Sequence, residues 1–235
     1  MSESKDKGKK NGGLGDVASR RRKAVRIKAK KQRSESSRQW LQRHFNDPYV
    51  AAAQEEGYRS RAAFKLLQLD EKFKLLGPGL RIVDLGAAPG GWTQVSVKAI
   101  GKKGRLVALD LLPMQPVEGA AFVQMDFLDD DAPGKLKELL GGPADLVLSD
   151  MAPNTTGHAG TDHIRIMALA EMGAHFAVDI LAPGGAFVCK FFQGGAEKDI
   201  LDLLKKHFAK VRHAKPAASR TESSETYLVA QGFRP

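Results

Sequence analysis

The sequence predicts a doubly wound α/β domain whose sheet is mostly parallel. Two observations favour this class. Strand-like apolar runs alternate with amphipathic, helix-like runs from about residue 60 onward, a pattern typical of a parallel sheet flanked by helices. The chain then closes on two strand-like runs, KVRHAK (210–215) and ETYLVAQGF (225–233), with little room for a helix between them. This final pair predicts an antiparallel edge, and 235 residues suffice for one such domain plus extensions.

The elements follow one another in a regular order. Two short helices broken by NDP are predicted within 36–55, followed by a longer amphipathic helix over 60–73 that LGPGL ends. The further predicted helices lie at about 91–100, 134–140, 161–182 and 197–208. The predicted strands lie at 81–86, 104–112, 122–127, 144–151, 184–192, 210–215 and 225–233.

The positive charge is concentrated at the N-terminus. Residues 1–33 contain 13 Lys and Arg against three acids, which equals the net charge of +10 of the whole chain. The other 202 residues hold 24 basic and 24 acidic residues. We therefore divide the chain into a disordered basic tail (1–33) and a folded domain (34–235). The tail suits a polyanion such as RNA, and the alternatives are a solubilising tail or a segment that binds anionic lipid.

Several classes of protein are excluded by composition. No apolar run reaches the length of about 18 residues that a membrane span needs, and the N-terminus lacks the apolar core of a signal peptide. The single cysteine, Cys189, rules out an intramolecular disulfide, and no cysteine-based metal signature is present. We expect a cytoplasmic protein that neither binds a structural metal nor enters a membrane.

The turn in VDLGAAPGGW (83–92) follows the first core strand, where ligands bind in open α/β sheets. Its residues are small, as expected where the backbone passes close to another group. Four acids, Asp84, Asp110, Asp126 and Asp150, stand at or near the predicted ends of the first four strands. The turn lacks the strict G-x-G-x-x-G spacing and a Walker lysine. Because the strand ends are acidic and no phosphate-binding loop is present, the sequence favours a cationic nucleoside cofactor that lacks phosphates, S-adenosylmethionine.

Six motifs together resemble the FtsJ/RrmJ family of RNA ribose 2′-O-methyltransferases. They are YRSRAAFKL (58–66), VDLGAAPGGW (83–92), DLLPM (110–114), SDMAPN (149–154), LAPGGAFVCKFFQG (181–194) and SRTESSETYLVA (219–230). The resemblance covers about residue 34 to the C-terminus. It implies a Rossmann-like class I methyltransferase with a seven-stranded, mostly parallel sheet and one antiparallel C-terminal strand. It also implies S-adenosylmethionine as cofactor and a monomer that methylates a uridine 2′-hydroxyl of 23S ribosomal RNA in the 50S subunit, supporting ribosome assembly.

The same resemblance assigns site residues. The family's cofactor-contacting positions fall on residues that the chain retains: Gly90, Trp92, Asp110, Asp126 and Asp150. The family's catalytic Lys-Asp-Lys-Glu set falls on Lys65, Asp150, Lys190 and Glu225.

The residues themselves support these assignments unequally. Lys190 interrupts the apolar run AFVCKFF, where a lysine is costly unless it is paired. We take it as the acceptor of the hydroxyl proton, and the alternative is that it stabilises developing oxyanion charge. Lys65 lies on an amphipathic helix, where a lysine is usually solvated, and only the resemblance selects it. Glu225 is compatible with an ordinary edge strand. Cys189 should face the opposite side of the strand and pack in the core.

Two other functions stay open at this level. One is 2′-O-methylation of transfer RNA or another RNA, since such enzymes share the core motifs. The other is a ribosome-assembly factor that acts mainly by RNA binding. Base N-methylation is disfavoured, because the residue after Pro153 is Asn154 and not an aromatic residue that could stack a flipped base.

Overall fold

The computed structural model describes residues 17, 35–153, 156–192, 198–221 and 223–235. The tail predicted over 1–33 lies outside the described residues except for Val17, so its disorder stays a prediction. Val17 is buried in a small apolar cluster with residues of the second and third helices.

The described residues form seven α-helices and seven strands, in much the order predicted. The helices are α1 (Glu35–Phe45), α2 (Pro48–Glu56), α3 (Ala62–Phe73), α4 (Gly91–Ile100), α5 (Ala132–Leu140), α6 (Ala159–Ile180) and α7 (Lys198–His207), with a short 3-10 helix at Gly101–Lys103. The strands are β1 (Arg81–Leu85), β2 (Arg105–Asp110), β3 (Ala120–Gln124), β4 (Ala144–Ser149), β5 (Leu181–Phe192), β6 (Phe208–Ala214) and β7 (Glu225–Phe233).

The NDP sequence separates α1 from α2 for a local reason. Asp47 has extended backbone angles, and its side chain accepts a hydrogen bond from the backbone N–H of Tyr49. Pro48 occupies the first turn of α2, where its missing N–H costs nothing. Gly57 ends the helix in the left-handed conformation. The capping residues therefore fix both ends of this short helix.

The strands form one sheet in the order β3-β2-β1-β4-β5-β7-β6. β3, β2, β1, β4 and β5 pair in parallel, whereas β7 runs antiparallel to both β5 and β6. The predicted fold class is confirmed. One interpretation was wrong: β7 is an interior strand and β6 forms the edge, because β7 inserts between β5 and β6. Glu225 therefore does not lie on an edge strand.

Helices cover both faces of the sheet. One core cluster joins β-strand residues such as Val83 and Leu85 to α5, α6 and α7. The other joins the alternating residues, such as Ile82 and Val188, to α3 and α4. Cys189 is fully buried in the first cluster, on the opposite side of β5 from Val188, as expected from strand alternation.

Boundaries differ from the prediction mainly around β3. The strand was predicted over 122–127 and lies at Ala120–Gln124, so Asp126 stands two residues beyond its end. β2 was predicted over 104–112 and lies at Arg105–Asp110, so Asp110 is the last residue of the strand. Within the described part of the chain, no helix is both long and apolar enough to span a membrane.

Candidate active site

The turn after β1 is pressed against the segment that follows β4. Gly86 has a φ of +76°, and a Cβ atom there would lie 2.7 Å from the backbone N and Cα of Met151. The backbone N–H of Asp150 donates to the carbonyl of Leu85 at 3.0 Å. Only glycine permits both this conformation and this approach. The small residues of the turn thus bring Asp150 beside the predicted cofactor turn.

The N-terminus of α4 opens into the same turn. Its N-cap is Gly90, with a φ of +108°, so no side chain caps the first N–H groups of the helix. The Ser60 hydroxyl packs against Gly91, so closely that a Cβ atom on residue 91 would lie 2.5 Å from it. This buried hydroxyl has no hydrogen-bond partner among the described residues. Free N–H groups and an orphan hydroxyl favour an anionic group, such as a carboxylate, at this point.

Asp110 stands opposite, at the end of β2. Its Oδ2 accepts from the N–H of Ala88 in the turn, and its Oδ1 accepts from the N–H of Leu112, both at 2.8 Å. A carboxylate has about four acceptor positions, so two remain for hydroxyl groups of a ligand. Asp126 lies farther along, and its Oδ1 accepts from the N–H of Leu128 at 3.0 Å.

Trp92 differs from the other predicted cofactor residues. Its indole is 3% exposed, its Nε1 donates to the carbonyl of Ala62 at 2.8 Å, and its ring packs 5.6 Å from that of Tyr227. The side chain therefore belongs to the core between α3 and β7. Only its backbone, in the first turn of α4, faces the predicted cofactor turn.

Arg59 connects the turn after β1 to the loop after β2, and it was not singled out from the sequence. Its guanidinium donates to the carbonyls of Pro89 at 3.3 Å, Gln115 at 2.5 Å and Pro116 at 2.7 Å. Its backbone N–H donates to the side chain of Gln94 on α4 at 2.9 Å. The loop after β2 is thereby fastened to the turn after β1.

Asp84 is a fully buried acid beneath the same turn. Thr93 donates to its Oδ2 at 2.7 Å, while its Oδ1 has no partner among the described residues. Burial raises the pKa of Asp84 to about 7, and the nearby charges of Asp150 and Asp110 act in the same direction. The hydrogen bond from Thr93 opposes this rise without cancelling it.

The four residues of the predicted catalytic set, which we call the tetrad, converge on the face of the sheet that α3 covers. Lys190 Nζ lies 2.9 Å from Asp150 Oδ1 and donates to the Asp150 carbonyl at 2.8 Å. Lys65 Nζ lies 2.7 Å from Glu225 Oε1. The four side chains are only 11% to 16% exposed. Two partly buried ion pairs thus form from residues on α3, β5, β7 and the end of β4.

Tyr227 links the two pairs. Its hydroxyl donates to Asp150 Oδ1 at 2.8 Å and accepts from Lys65 Nζ at 3.3 Å. Burial raises the pKa of Tyr227 well above its ordinary value, and the carboxylates of Asp150 and Glu225 raise it further. The hydroxyl therefore keeps its proton. Tyr227 was not singled out from the sequence, although it lies in the motif that carries Glu225.

The charge of Asp150 is maintained by its neighbours. Burial alone would raise the pKa of Asp150, but the ammonium groups of Lys190 and Lys65 and the hydrogen bonds from Lys190 and Tyr227 hold it below its ordinary value. Asp150 is thus an anion in a poorly hydrated place. Such a carboxylate can hold an ammonium in a fixed position beside a reacting group.

The loop before β7 secures the other carboxylate. Ser219 donates to Glu225 Oε1 at 2.9 Å, and the neighbouring Ala218 carbonyl accepts from Arg61. Arg61 is also ion-paired with Asp47 at the start of α2. The N-terminal helices and this loop therefore support one side of the tetrad.

The sheet order, the glycine turn after β1 and the acid that ends β2 together define a class I methyltransferase, the class that uses S-adenosylmethionine. The chain belongs to the FtsJ-like methyltransferase family, whose match covers residues 58–233.

Three relatives illustrate the similarity. A "Ribosomal RNA large subunit methyltransferase E" of Granulibacter bethesdensis is 62% identical over 92% of this chain and 93% of its own length. The protein of the same name from Acidiphilium cryptum is 61% identical over 93% and 96%. A crystal structure from Plasmodium falciparum, described as a ribosomal RNA methyltransferase, is 31% identical with a TM-score of 0.66, covering 75% of this chain and 98% of that one.

Proposed function

We propose that this protein transfers a methyl group from S-adenosylmethionine to the 2′-hydroxyl of a uridine in 23S ribosomal RNA of the large ribosomal subunit, in support of ribosome assembly. The observation that carries the proposal is the partly buried Lys190–Asp150 pair, which lies beside the predicted cofactor turn because of the close approach at Gly86. The names of the relatives support large-subunit RNA as the substrate.

The residues around the turn fit the proposed cofactor. The orphan Ser60 hydroxyl and the free N–H groups of α4 suit a carboxylate, and the open acceptor positions of Asp110 suit ribose hydroxyls. Asp150 is the nearest acid of the tetrad to the turn. Gly90 and Trp92 would contribute backbone only, and Asp126 would lie at the outer limit of the pocket.

In the proposed reaction S-adenosylmethionine supplies an electrophilic methyl group to the ribose oxygen. Lys190 is the proposed acceptor of the hydroxyl proton, a role for which its ammonium group must first release a proton to the solvent. The Asp150 carboxylate, 2.9 Å away, would then hold the resulting ammonium in place. The other three polar side chains, those of Lys65, Glu225 and Tyr227, would orient Asp150. They would thereby keep the ribose hydroxyl in line with the methyl group.

The assembly state and location follow from the same proposal. We infer that the protein acts as a monomer in the cytoplasm, where large ribosomal subunits are built. The basic segment over 1–33 would add electrostatic attraction to RNA.

Mapping of 2′-O-methyl groups on total RNA from a deletion strain tests the proposal. We expect one uridine of 23S RNA to lose its methyl group, and the wild-type gene but not a Lys190→Ala gene to restore it. Loss at a transfer RNA position alone would contradict the ribosomal assignment. Restoration by Lys190→Ala would contradict the catalytic assignment.

A further inference from the structure

The folded part of the chain is neutral as a whole, but its charge is unevenly placed. Residues 34–235 hold 24 basic and 24 acidic residues. The segment 203–221 contains six Lys and Arg and no acid, which leaves 18 basic and 24 acidic residues for the rest. A neutral domain with separated charge still produces a directed field at its surface.

The basic residues of this segment lie along one edge of the sheet. Five of them form what we call the basic ridge: Lys205, Lys206, Lys210, Arg212 and Lys215. They occupy the last turn of α7, the edge strand β6 and the residue after it, and all five are exposed. Among the described residues, none of them forms an ion pair in the structure.

The opposite edge of the sheet has the opposite charge. β3 contains no charged residue, and the segment 118–138 around it holds six acids against two lysines. The two edges of one sheet therefore carry opposite signs, with the active site between them. A polyanion that approaches the domain is attracted to the β6 edge and repelled from the β3 edge.

The ridge leads directly to the tetrad. Ala214, the last residue of β6, pairs with Tyr227, whose hydroxyl bridges Lys65 and Asp150. Because residues two apart on a strand share a face, Lys210 and Arg212 lie on the same side of the sheet as Tyr227.

The end of the ridge also contacts the loop that supports Glu225. Lys215 donates to the carbonyls of Thr221 at 3.2 Å and Ser223 at 2.7 Å, in the loop from which Ser219 donates to Glu225. The ridge and the tetrad are therefore joined by one short loop.

Two general explanations do not cover the whole ridge. Charged residues protect edge strands against pairing with other chains, but this accounts only for Lys210 and Arg212. Cations stabilise the C-terminal turn of a helix, but this accounts only for Lys205 and Lys206. Neither explains the absence of acids over the 19 residues from Leu203, in the second half of α7, to Thr221 after β6.

We propose that the basic ridge is a binding surface for the phosphate backbone of the substrate RNA, which leads the strand from the β6 edge to the tetrad. The proposal rests on the proposed function for the identity of the RNA. Its phosphates would contact the exposed ammonium and guanidinium groups without reading sequence.

The test is the double variant Lys210→Gln/Arg212→Gln in the full chain. The matched control is Lys102→Gln/Lys103→Gln, which removes two exposed positive charges from the 3-10 helix after α4. Filter binding with in vitro transcribed 23S RNA between 50 and 300 mM salt gives the dissociation constant and its salt dependence. For the ridge variant we expect about tenfold weaker binding and a salt slope smaller by about 1 to 2, since each lost contact removes roughly 0.7–0.9. The control should keep the wild-type slope.

Equal losses in both variants, or an unchanged slope in the ridge variant, would overturn the proposal. If the edge-strand variant precipitates, Lys205→Gln/Lys206→Gln on α7 decides by the same criteria. The binding assay requires no methyl transfer. A protein that binds through the ridge but leaves RNA unmethylated would therefore contradict the proposed function while supporting the ridge.

Discussion

The two halves of the candidate active site are built in different ways. The half beside β1 and β2 is made largely of backbone: the turn over 86–91, the open end of α4, and Asp110 that accepts from the turn itself. The half beside β4, β5 and β7 is made of side chains that come together from positions 65 to 225. We call the first the backbone half, which offers a shaped surface. We call the second the side-chain half, which offers charged groups at fixed positions. From this difference we expect that the proposed cofactor binding and the proposed proton transfer can be perturbed separately.

The largest effect is expected from Lys190, in the side-chain half. Both Lys190→Ala and Lys190→Arg should lower the single-turnover rate of methyl transfer by about 10²–10⁴-fold, the usual range for a general base. Arginine keeps the charge but does not lose a proton in proteins. Cofactor affinity, measured separately, should stay close to that of the wild type. Substantial activity in the Arg variant would show that Lys190 supplies charge and not a proton-accepting amine.

The next effect is expected from Asp110, in the backbone half. Asp110→Ala should weaken S-adenosylmethionine binding by about 1.5–3 kcal/mol, the range for hydrogen bonds to a charged group. Asp126→Ala is the matched control, because Asp126 lies beyond the end of β3 and should contribute less. Calorimetry gives both affinities. An equal loss of cofactor affinity in the two variants would mean that Asp126 contributes to cofactor binding as much as Asp110 does.

A pH-dependent effect on stability is expected from Asp84, beneath the turn. Its folded-state pKa of about 7 exceeds the ordinary value of 3.8, so its contribution to stability is fully present below about pH 4. It is lost as the pH rises toward 7, because the unfolded chain releases the proton first. Asp84→Asn removes this loss. Its advantage in unfolding free energy over the wild type should therefore grow between pH 5 and pH 7.5, by roughly 2.5 kcal/mol.

Denaturant unfolding at several pH values measures this difference. Asp126→Asn, which replaces another acid of the candidate site, serves as the matched control. A constant difference between Asp84→Asn and the wild type across these pH values would mean that Asp84 is already ionised in the folded protein at pH 5.

The smallest effect is expected from Arg59, which fastens the loop after β2 to the turn after β1. Its three carbonyl contacts are exposed, so Arg59→Ala should raise the KM for S-adenosylmethionine by a few-fold, corresponding to about 1 kcal/mol. The kcat at saturating cofactor should be unchanged. Arg59→Lys keeps one donor group and should recover part of the affinity. A fall in kcat with an unchanged KM would assign Arg59 to the other half of the site.

The backbone half was largely predictable because its signals are local. The glycine turn, the end of β2 at Asp110 and the start of α4 at Gly91 all follow from consecutive residues. Ser60 was not found, since an orphan hydroxyl becomes visible only when α3 and α4 are packed together. The same holds for Arg59, whose partners lie 30 and 56 residues away.

The side-chain half could not be derived from the residues alone. Lys190 was conspicuous because a lysine interrupted an apolar strand, but Lys65 and Glu225 had ordinary surroundings in the sequence. The position of Glu225 depended on β7 inserting between β5 and β6, a crossover that local patterns do not specify. Family resemblance selected these residues, and the structure brings all four together with Tyr227.

The most direct test of this separation measures cofactor affinity and single-turnover rate on the same two variants, Lys190→Ala and Asp110→Ala. We expect Lys190→Ala to bind S-adenosylmethionine like the wild type and to lose methyl transfer. We expect Asp110→Ala to bind the cofactor weakly and to recover most of the wild-type rate when the cofactor is saturating. A Lys190→Ala protein whose cofactor affinity falls as far as its rate would contradict the division of the site into two halves.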